Sequence, residues 1–331
     1  MHELQYLIFT VIILALLFDF INGFHDTANA IATSVSTRAI PPRVAILMAA
    51  FLNFFGAMYS TGVAKTIGGD IVKSASHVDE HIIIAALVGA IIWNLLTWWF
   101  ALPSSSSHAL VGGLIGAVLV SVGADGLNLY GIGKIVLSLI ASPLIAIVSG
   151  CLIMNLIYLI FQKCMPSTLN NRFKKMQILS AAMMAFSHGS NDAQKAMGII
   201  TLALLSGGYI SSFEVPTYVK VLAATSMAFG TAFGGWKIIK TIGGKIFKLE
   251  PPSGFAADLN SSFIIFTATL LHLPVSTTHV VSGSIMGVGT AKRISAVRWG
   301  TAQQMVVAWV LTIPCTAAMS AVAYMIVKAI F

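Results

Sequence analysis

The chain has 331 residues, of which 57% are apolar and only 9% charged, with a formal net charge of +8 and a mean hydropathy of +0.89. Soluble domains carry about 25% charged residues, so this composition excludes an ordinary soluble globule and implies an all-α integral membrane protein. The positive charge then reads as lysines and arginines gathered on one side of a bilayer, not as a nucleic-acid surface.

Apolar stretches near the ~20 residues needed to cross a bilayer run, in chain order, over 4–22, 43–63, 81–101, 105–123, 132–162, 176–205, 217–239, 255–272, 276–291 and 299–330. The first runs from Leu4 to Phe18 with no basic start and no small-residue cleavage pattern. It is read as a span, not a removed signal peptide. The piece from Asp26 to Thr37 is expected to dip back into protein at membrane depth. The stretches 132–162 and 176–205 are long enough to be tilted or broken. Three scattered cysteines (Cys151, Cys164, Cys315) form no CxxC pair, so neither a disulfide framework nor a zinc site is expected.

Strict alternation of the ten segments puts 13 basic residues on one side, among them Arg38, Arg43, Arg172, Lys245 and Arg293. The other side holds 5 (Lys65, Lys73, Lys134, Lys220 and Lys328), and Lys195 falls within a span. The basic side marks the cytoplasm. Both termini are therefore expected outside the cell's inner (plasma) membrane.

Three short segments occur twice. Asn22–Ala30 (NGFHDTANA) is echoed by His188–Ala196 (HGSNDAQKA), Lys65–Gly69 (KTIGG) by Lys240–Gly244, and Leu102–His108 (LPSSSSH) by Leu273–His279 (LPVSTTH). Five spans per copy is an odd number, so the second copy would enter the membrane upside down. The expected organisation is a first inverted repeat over 1–162, a basic cytoplasmic connector over 163–175, and a second inverted repeat over 176–331. Broken or re-entrant helices are expected at both signatures and at both Ser/Thr-His motifs.

A carboxylate near the bilayer centre costs about 2.5–3.5 kcal/mol on insertion scales, so Asp26 and Asp192 need compensation. Gly23 and Gly189, three residues earlier, are expected to let the helix unwind. Freed carbonyls with Asp26, Asn29, Asn191 and Asp192 would make an oxygen nest suited to Na⁺. The same aspartates are equally able to carry protons, and the bland reading is a carboxylate that caps a broken helix. Gln194 and Lys195 complete the second signature, and Lys195 either pairs with Asp192 at i+3 or meets an anionic substrate. Asp19 and Asp258 are second-tier candidates.

The proline-Ser/Thr runs read as helix starts inside the membrane, because proline suits the first turn and Ser/Thr cap it. A helix N-terminus offers free N–H groups to an oxyanion. Ser105, Ser106, Ser107, Ser276, Thr277 and Thr278 would add donors without fixed charge, so the anion can be released. Packing between helices is the plain alternative for any one hydroxyl. His108 and His279 end the two runs, as structural groups or as a proton relay. His25 and His188 lie in non-equivalent places of the signatures, and a direct binding role stands beside a structural one for each. Gly112-x-x-x-Gly116 and Gly283-x-x-x-Gly287 read as close helix packing.

Gly23-Phe24-His25-Asp26-Thr27-Ala28-Asn29-Ala30, Ser187-His188-Gly189-Ser190-Asn191-Asp192-Ala193-Gln194-Lys195 and Pro274-Val275-Ser276-Thr277-Thr278-His279 resemble the duplicated signatures of the inorganic phosphate transporter (PiT) family, its bacterial members in particular. The resemblance covers essentially the whole chain. It implies uptake of inorganic phosphate by a cation-coupled symporter, an inverted-repeat fold that commonly forms homodimers, and Asp26 and Asp192 in the ion and phosphate site. His25 stands where many members have asparagine, and Asn53 where Na⁺-coupled members often have glutamate. The coupling ion is thus open between Na⁺ and H⁺, with carriage of phosphate as a divalent-metal complex as a variant. No other cofactor and no enzymatic activity are expected, since Ser107 and His108 are adjacent and cannot readily face each other. A symporter for sulfate or another oxyanion, and a passive channel, are the competing readings.

Overall fold

The computed structural model of the chain describes residues 2–74, 78–233 and 236–330. Among them the regular structure is helical: α1 (His2–Ser36), α2 (Pro42–Tyr59), α3 (Gly62–Gly69), α4 (Glu80–Trp99), α5 (Ser106–Ser121), α6 (Leu129–Phe161), α7 (Pro166–Ser206), α8 (Thr217–Phe233), α9 (Trp236–Gly244), α10 (Pro251–Leu270), α11 (Thr277–Lys292) and α12 (Trp299–Ile330). Five of these, over Gln5–Ser36, Pro42–Tyr59, Glu80–Trp99, Leu129–Phe161 and Trp299–Ile330, are long and apolar enough to cross a membrane. Of the others, α3, α5, α8, α9 and α11 are shorter than 18 residues, and α7 and α10 lose hydropathy to polar side chains. α7 starts in a basic stretch and carries the second signature, while α10 holds Asp258, Asn260, Ser261 and Ser262.

Taken in order, α1 to α6 match α7 to α12: a long helix, a medium one, a very short one, then a pair split by proline, then a long one. The halves also exchange partners. α1 packs on α8 and α7 on α2; α5 packs on α12 and α11 on α6.

Glycine sets the closest of these contacts. A Cβ on Gly23 would come within 2.4 Å of the Met227 carbonyl, and one on Gly230 within 2.0 Å of the Phe20 carbonyl. The matching contact joins α7 to α2, where a Cβ on Gly189 would meet the Asn53 carbonyl at 2.2 Å and one on Gly56 the Phe186 carbonyl at 2.1 Å. This corrects the expectation of unwinding at the signatures. α1 and α7 run unbroken through both. The glycines are there to let two backbones touch, and the stretch from Asp26 to Thr37 is the last part of α1, not a separate dip. The Gly112/Gly116 and Gly283/Gly287 pairs do serve close packing, against Ile313 and Ala317 of α12 and Pro143 and Ile147 of α6.

The breaks at the Ser/Thr-His motifs are present, and each is built the same way. α4 closes with Ala101 in the left-handed region at φ 53°, and α10 with His272 at φ 60°. Leu102 N–H then donates to the Thr97 carbonyl at 2.9 Å, and Leu273 N–H to the Ala268 carbonyl at 2.8 Å. These 6→1 bonds are the Schellman closure of a helix, and the following proline prevents its continuation. Ser105 and Ser276 restart the chain as N-caps, accepting from the backbone N–H of His108 and His279. The short helices brace the breaks crosswise. Thr66 of α3 donates to the His272 carbonyl at 2.7 Å, and Thr241 of α9 to the Ala101 carbonyl at 3.5 Å. The stretch 163–175 is a turn followed by the first turns of α7, which starts on Pro166.

Candidate functional site

The two unbroken signature helices bring their aspartates to the place where α5 and α11 begin. Oxygens of Asp26 and Asp192 and a ring nitrogen of His188 all lie within 4.8 Å of one another. Every signature and helix-start residue singled out for substrate or ion binding, the four histidines aside, is at most 2% exposed, so the cluster is sealed inside protein.

Asp26 is held by hydroxyls from both helix starts. Ser106 Oγ donates to its Oδ2 at 2.7 Å and Thr278 Oγ1 to its Oδ1 at 3.2 Å. His25 Nδ1 is 2.8 Å from the same Oδ1. Asp192 accepts from Thr277 Oγ1 at 3.2 Å, and its other oxygen is 2.8 Å from the ammonium of Lys195. Asn29 ties the two carboxylates together. Its amide donates to Thr278 at 2.8 Å and to Thr277 at 3.3 Å, the hydroxyls that bond Asp26 and Asp192. Ser106 also donates to Asn22 Oδ1 at 2.7 Å.

Several expected ligands point elsewhere. Asn191 donates to Thr269 Oγ1 at 3.1 Å and to the Leu273 carbonyl at 3.3 Å, and its oxygen accepts from Val275 N–H at 3.4 Å. It fastens the break after α10, just as His25 Nε2 approaches Thr97 Oγ1 at 3.3 Å beside the break after α4. Gln194 caps α3, accepting from the N–H groups of Val63 and Ala64 at 2.8 and 3.1 Å. Ser107 donates to the Val275 carbonyl at 2.9 Å, and Ser105 and Ser276 are committed as caps. His108 and His279 pack with ring centroids 4.5 Å apart and planes tilted by 41°, and line a mostly apolar cavity of about 730 Å³ between α6 and α12. Asp258 accepts from Thr33, two turns beyond Asp26, at 2.5 Å and from Gln177 at 3.5 Å. Asp19 is fully buried on α1.

His188 joins the site through its place one turn before Asp192, with Nε2 at 3.6 Å from Asp192 Oδ2. Its Nδ1 is 3.0 Å from Asn53 Oδ1, and Asn53 in turn donates to Thr231 at 2.9 Å. Asn22, Thr97 and Thr269 are contributors that the sequence did not single out, and Asn53 entered only through the family resemblance. Thr97 and Thr269 were within reach of sequence reasoning, because each precedes its Leu-Pro pair by four or five residues in both copies. Asn53 carried no internal echo to mark it.

An all-helical fold with apolar spanning helices, and a polar cluster sealed at the meeting point of its halves, defines a polytopic membrane protein with a buried ionic site. The Phosphate transporter family model matches residues 22–169 and 162–320. The chain belongs to that family. It is 52% identical to a "Probable low-affinity inorganic phosphate transporter" of Bacillus subtilis (strain 168), with both chains covered completely. It is 46% identical to a protein of the same description from Rhizobium meliloti (strain 1021), over 95% of this chain and 94% of that one. A solved structure described as "The sodium-dependent phosphate transporter" superposes with a TM-score of 0.87 at 30% identity, covering 98% of this chain and all of that one.

Proposed function

We propose that the protein is a cation-coupled symporter that imports inorganic phosphate by alternating access. The observation that carries this is the convergence of Asp26, Asp192 and His188 within 4.8 Å at two helix starts. Two carboxylates that close repel by about 3.5 kcal/mol at an effective dielectric of 20, before any anion arrives. A phosphate can approach them only with cations, so binding of the two is coupled by charge. The free N–H groups and hydroxyls at the starts of α5 and α11 supply donors that let the anion go again. The sealed state of the cluster fits an occluded step of the cycle.

In this reading the matched halves are inverted repeats of five spans, 1–162 and 176–331 with a basic connector between them, and the site lies at their seam. Both termini then face outward from the plasma membrane, and the working unit is a homodimer. The coupling ion is Na⁺ or H⁺, and phosphate travels free or as a divalent-metal complex. The test is uptake of labelled phosphate into proteoliposomes, first with a Na⁺ gradient at fixed pH and then with a pH gradient without Na⁺. One of the two must drive accumulation. Uptake that persists at full rate with both gradients collapsed refutes coupling, and sulfate competing as well as phosphate refutes the substrate.

A further inference from the structure

The two carboxylates occupy matched places but have different neighbours one turn on. Beyond Asp192 stands Lys195, whose Nζ is 2.8 Å from the carboxylate and whose side chain is 1% exposed. Beyond Asp26 the same place holds Asn29. The Asn29 amide nitrogen is spent on Thr277 and Thr278, while its oxygen is buried and accepts no hydrogen bond among the described residues. Among the described residues no lysine or arginine pairs with Asp26, whose partners are His25, Ser106 and Thr278.

A carboxylate with an unsatisfied amide oxygen at i+3 is a hard-oxygen pair waiting for a cation. A carboxylate with an ammonium at the same place already has one. We propose that Lys195 is a tethered cation. It permanently fills, at the Asp192 half of the site, the position that a mobile cation takes at the Asp26 half. A tethered charge moves with the protein and returns with it, so it neutralises Asp192 without drawing on a gradient. The cycle therefore uses one fewer mobile cation than a site with asparagine in both places.

Burial supports this assignment over a plain structural ion pair. An i,i+3 pair on a helix surface contributes little, but this one is sealed from solvent beside a second carboxylate, a place where only a charge of the right sign is tolerated. Lysine also differs from a bound ion in its geometry. Its nitrogen lies 2.8 Å from one Asp192 oxygen, and three donors on a single ammonium give it the capacity to meet a phosphate oxygen when one enters.

This inference rests on the cation-coupled reading above. The experiment compares wild type with Lys195→Asn, measuring thermal unfolding of the purified protein in NaCl against choline chloride, and phosphate uptake in proteoliposomes at fixed pH. Lys195→Asn should gain a Na⁺-dependent rise in melting temperature larger than that of wild type. Its uptake should gain a Na⁺ stimulation of about tenfold, the scale of a coupling free energy between two ligands. Both gains should vanish in the Asp192→Asn/Lys195→Asn double variant. If Lys195→Asn does not yield monodisperse protein, Lys195→Gln carries the same measurement. A Na⁺ response in melting equal to that of wild type in the variant that folds overturns the inference, whether or not uptake survives. Wild type that shows no gradient-driven uptake removes the proposed function instead, while the melting comparison still reads the tethered charge.

Discussion

The scaffold and the site of this protein follow different rules. In the scaffold the two halves agree contact by contact. Gly23 meets α8 as Gly189 meets α2, Ala101 and His272 close their helices with the same left-handed turn, and Thr66 and Thr241 brace opposite breaks. In the site the halves share the two aspartates and the histidines that end the Ser/Thr runs, but differ at the positions around the aspartates. Asn29 aligns with Lys195, Asn22 with His188, and His25 with Asn191. A backbone contact at van der Waals distance admits only glycine, so both copies must keep it. A hydrogen-bond partner has to satisfy only local charge, so one copy can change when the other compensates.

The largest effect expected from breaking this contrast is at the carboxylates. Asp26→Asn and Asp192→Asn should each reduce coupled uptake by about a hundredfold or more, the scale of losing a buried charged partner. The halves should then differ in stability. Asp192→Asn leaves the Lys195 ammonium buried without its partner, a loss of about 3–5 kcal/mol, so it should melt well below wild type. Asp26→Asn strands no charged lysine and should melt close to wild type. Equal melting temperatures for the two variants would mean that Lys195 finds another partner.

The scaffold should respond symmetrically. Gly23→Ala and Gly189→Ala each drive a Cβ into a facing carbonyl, and overpacking of this kind costs about 1–3 kcal/mol. Thermal unfolding should show similar losses for both. A large loss in one and none in the other would break the match between the α1–α8 and α7–α2 contacts.

Much of the scaffold was legible in the sequence. Apolar length marked α6 and α12 within a few residues but missed the last 14 residues of α1 and the first ten of α7, where polar side chains interrupt the apolar run, and the proline-Ser/Thr pattern marked both restarts because capping is a local matter. The sequence misled at Gly23 and Gly189, where glycine next to an aspartate reads as a hinge. Only the position of Met227 and Asn53 across the interface shows that it is a contact. The left-handed turns at Ala101 and His272 were illegible for a related reason: alanine disfavours that conformation and a lone histidine signals it only weakly, and tertiary bracing from α9 and α3 reaches both turns. In the site, the paired echoes singled out Asp26, Asp192, Asn29 and the Ser/Thr runs, since duplication of a costly polar group is itself a signal. Spacing alone could not separate Thr277 and Thr278, which bond the carboxylates, from Ser105 and Ser276, which cap.

A middle-sized effect is expected where the halves use different histidines. His188 touches Asp192 and reaches Asn53, while its counterpart Asn22 is a hydrogen-bond acceptor for Ser106. His188→Ala should lower uptake about tenfold, the worth of one interaction with a charged group. His25→Asn should be milder, because Asn191 already performs the matching bond to Thr269 with an asparagine amide. Uptake assays on the two variants side by side check the order.

The finest contrast separates two hydroxyls that the sequence aligns. Ser107 and Thr278 hold the same place in the two Ser/Thr-His motifs, yet Ser107 donates to a backbone carbonyl and Thr278 to Asp26 while accepting from Asn29. A hydrogen bond to a charged group contributes about 1.5–3 kcal/mol and one between neutral groups about 0.5–1.5. Thr278→Val should therefore raise the cation concentration needed for half-maximal uptake by about tenfold. Ser107→Ala removes only a tie between the two breaks, so it should lower melting slightly and leave that concentration almost unchanged. Should Ser107→Ala shift the cation requirement as much as Thr278→Val, the serine reaches the ions during the cycle. The difference between the halves at this pair would then belong to one conformation and not to the chemistry of the site.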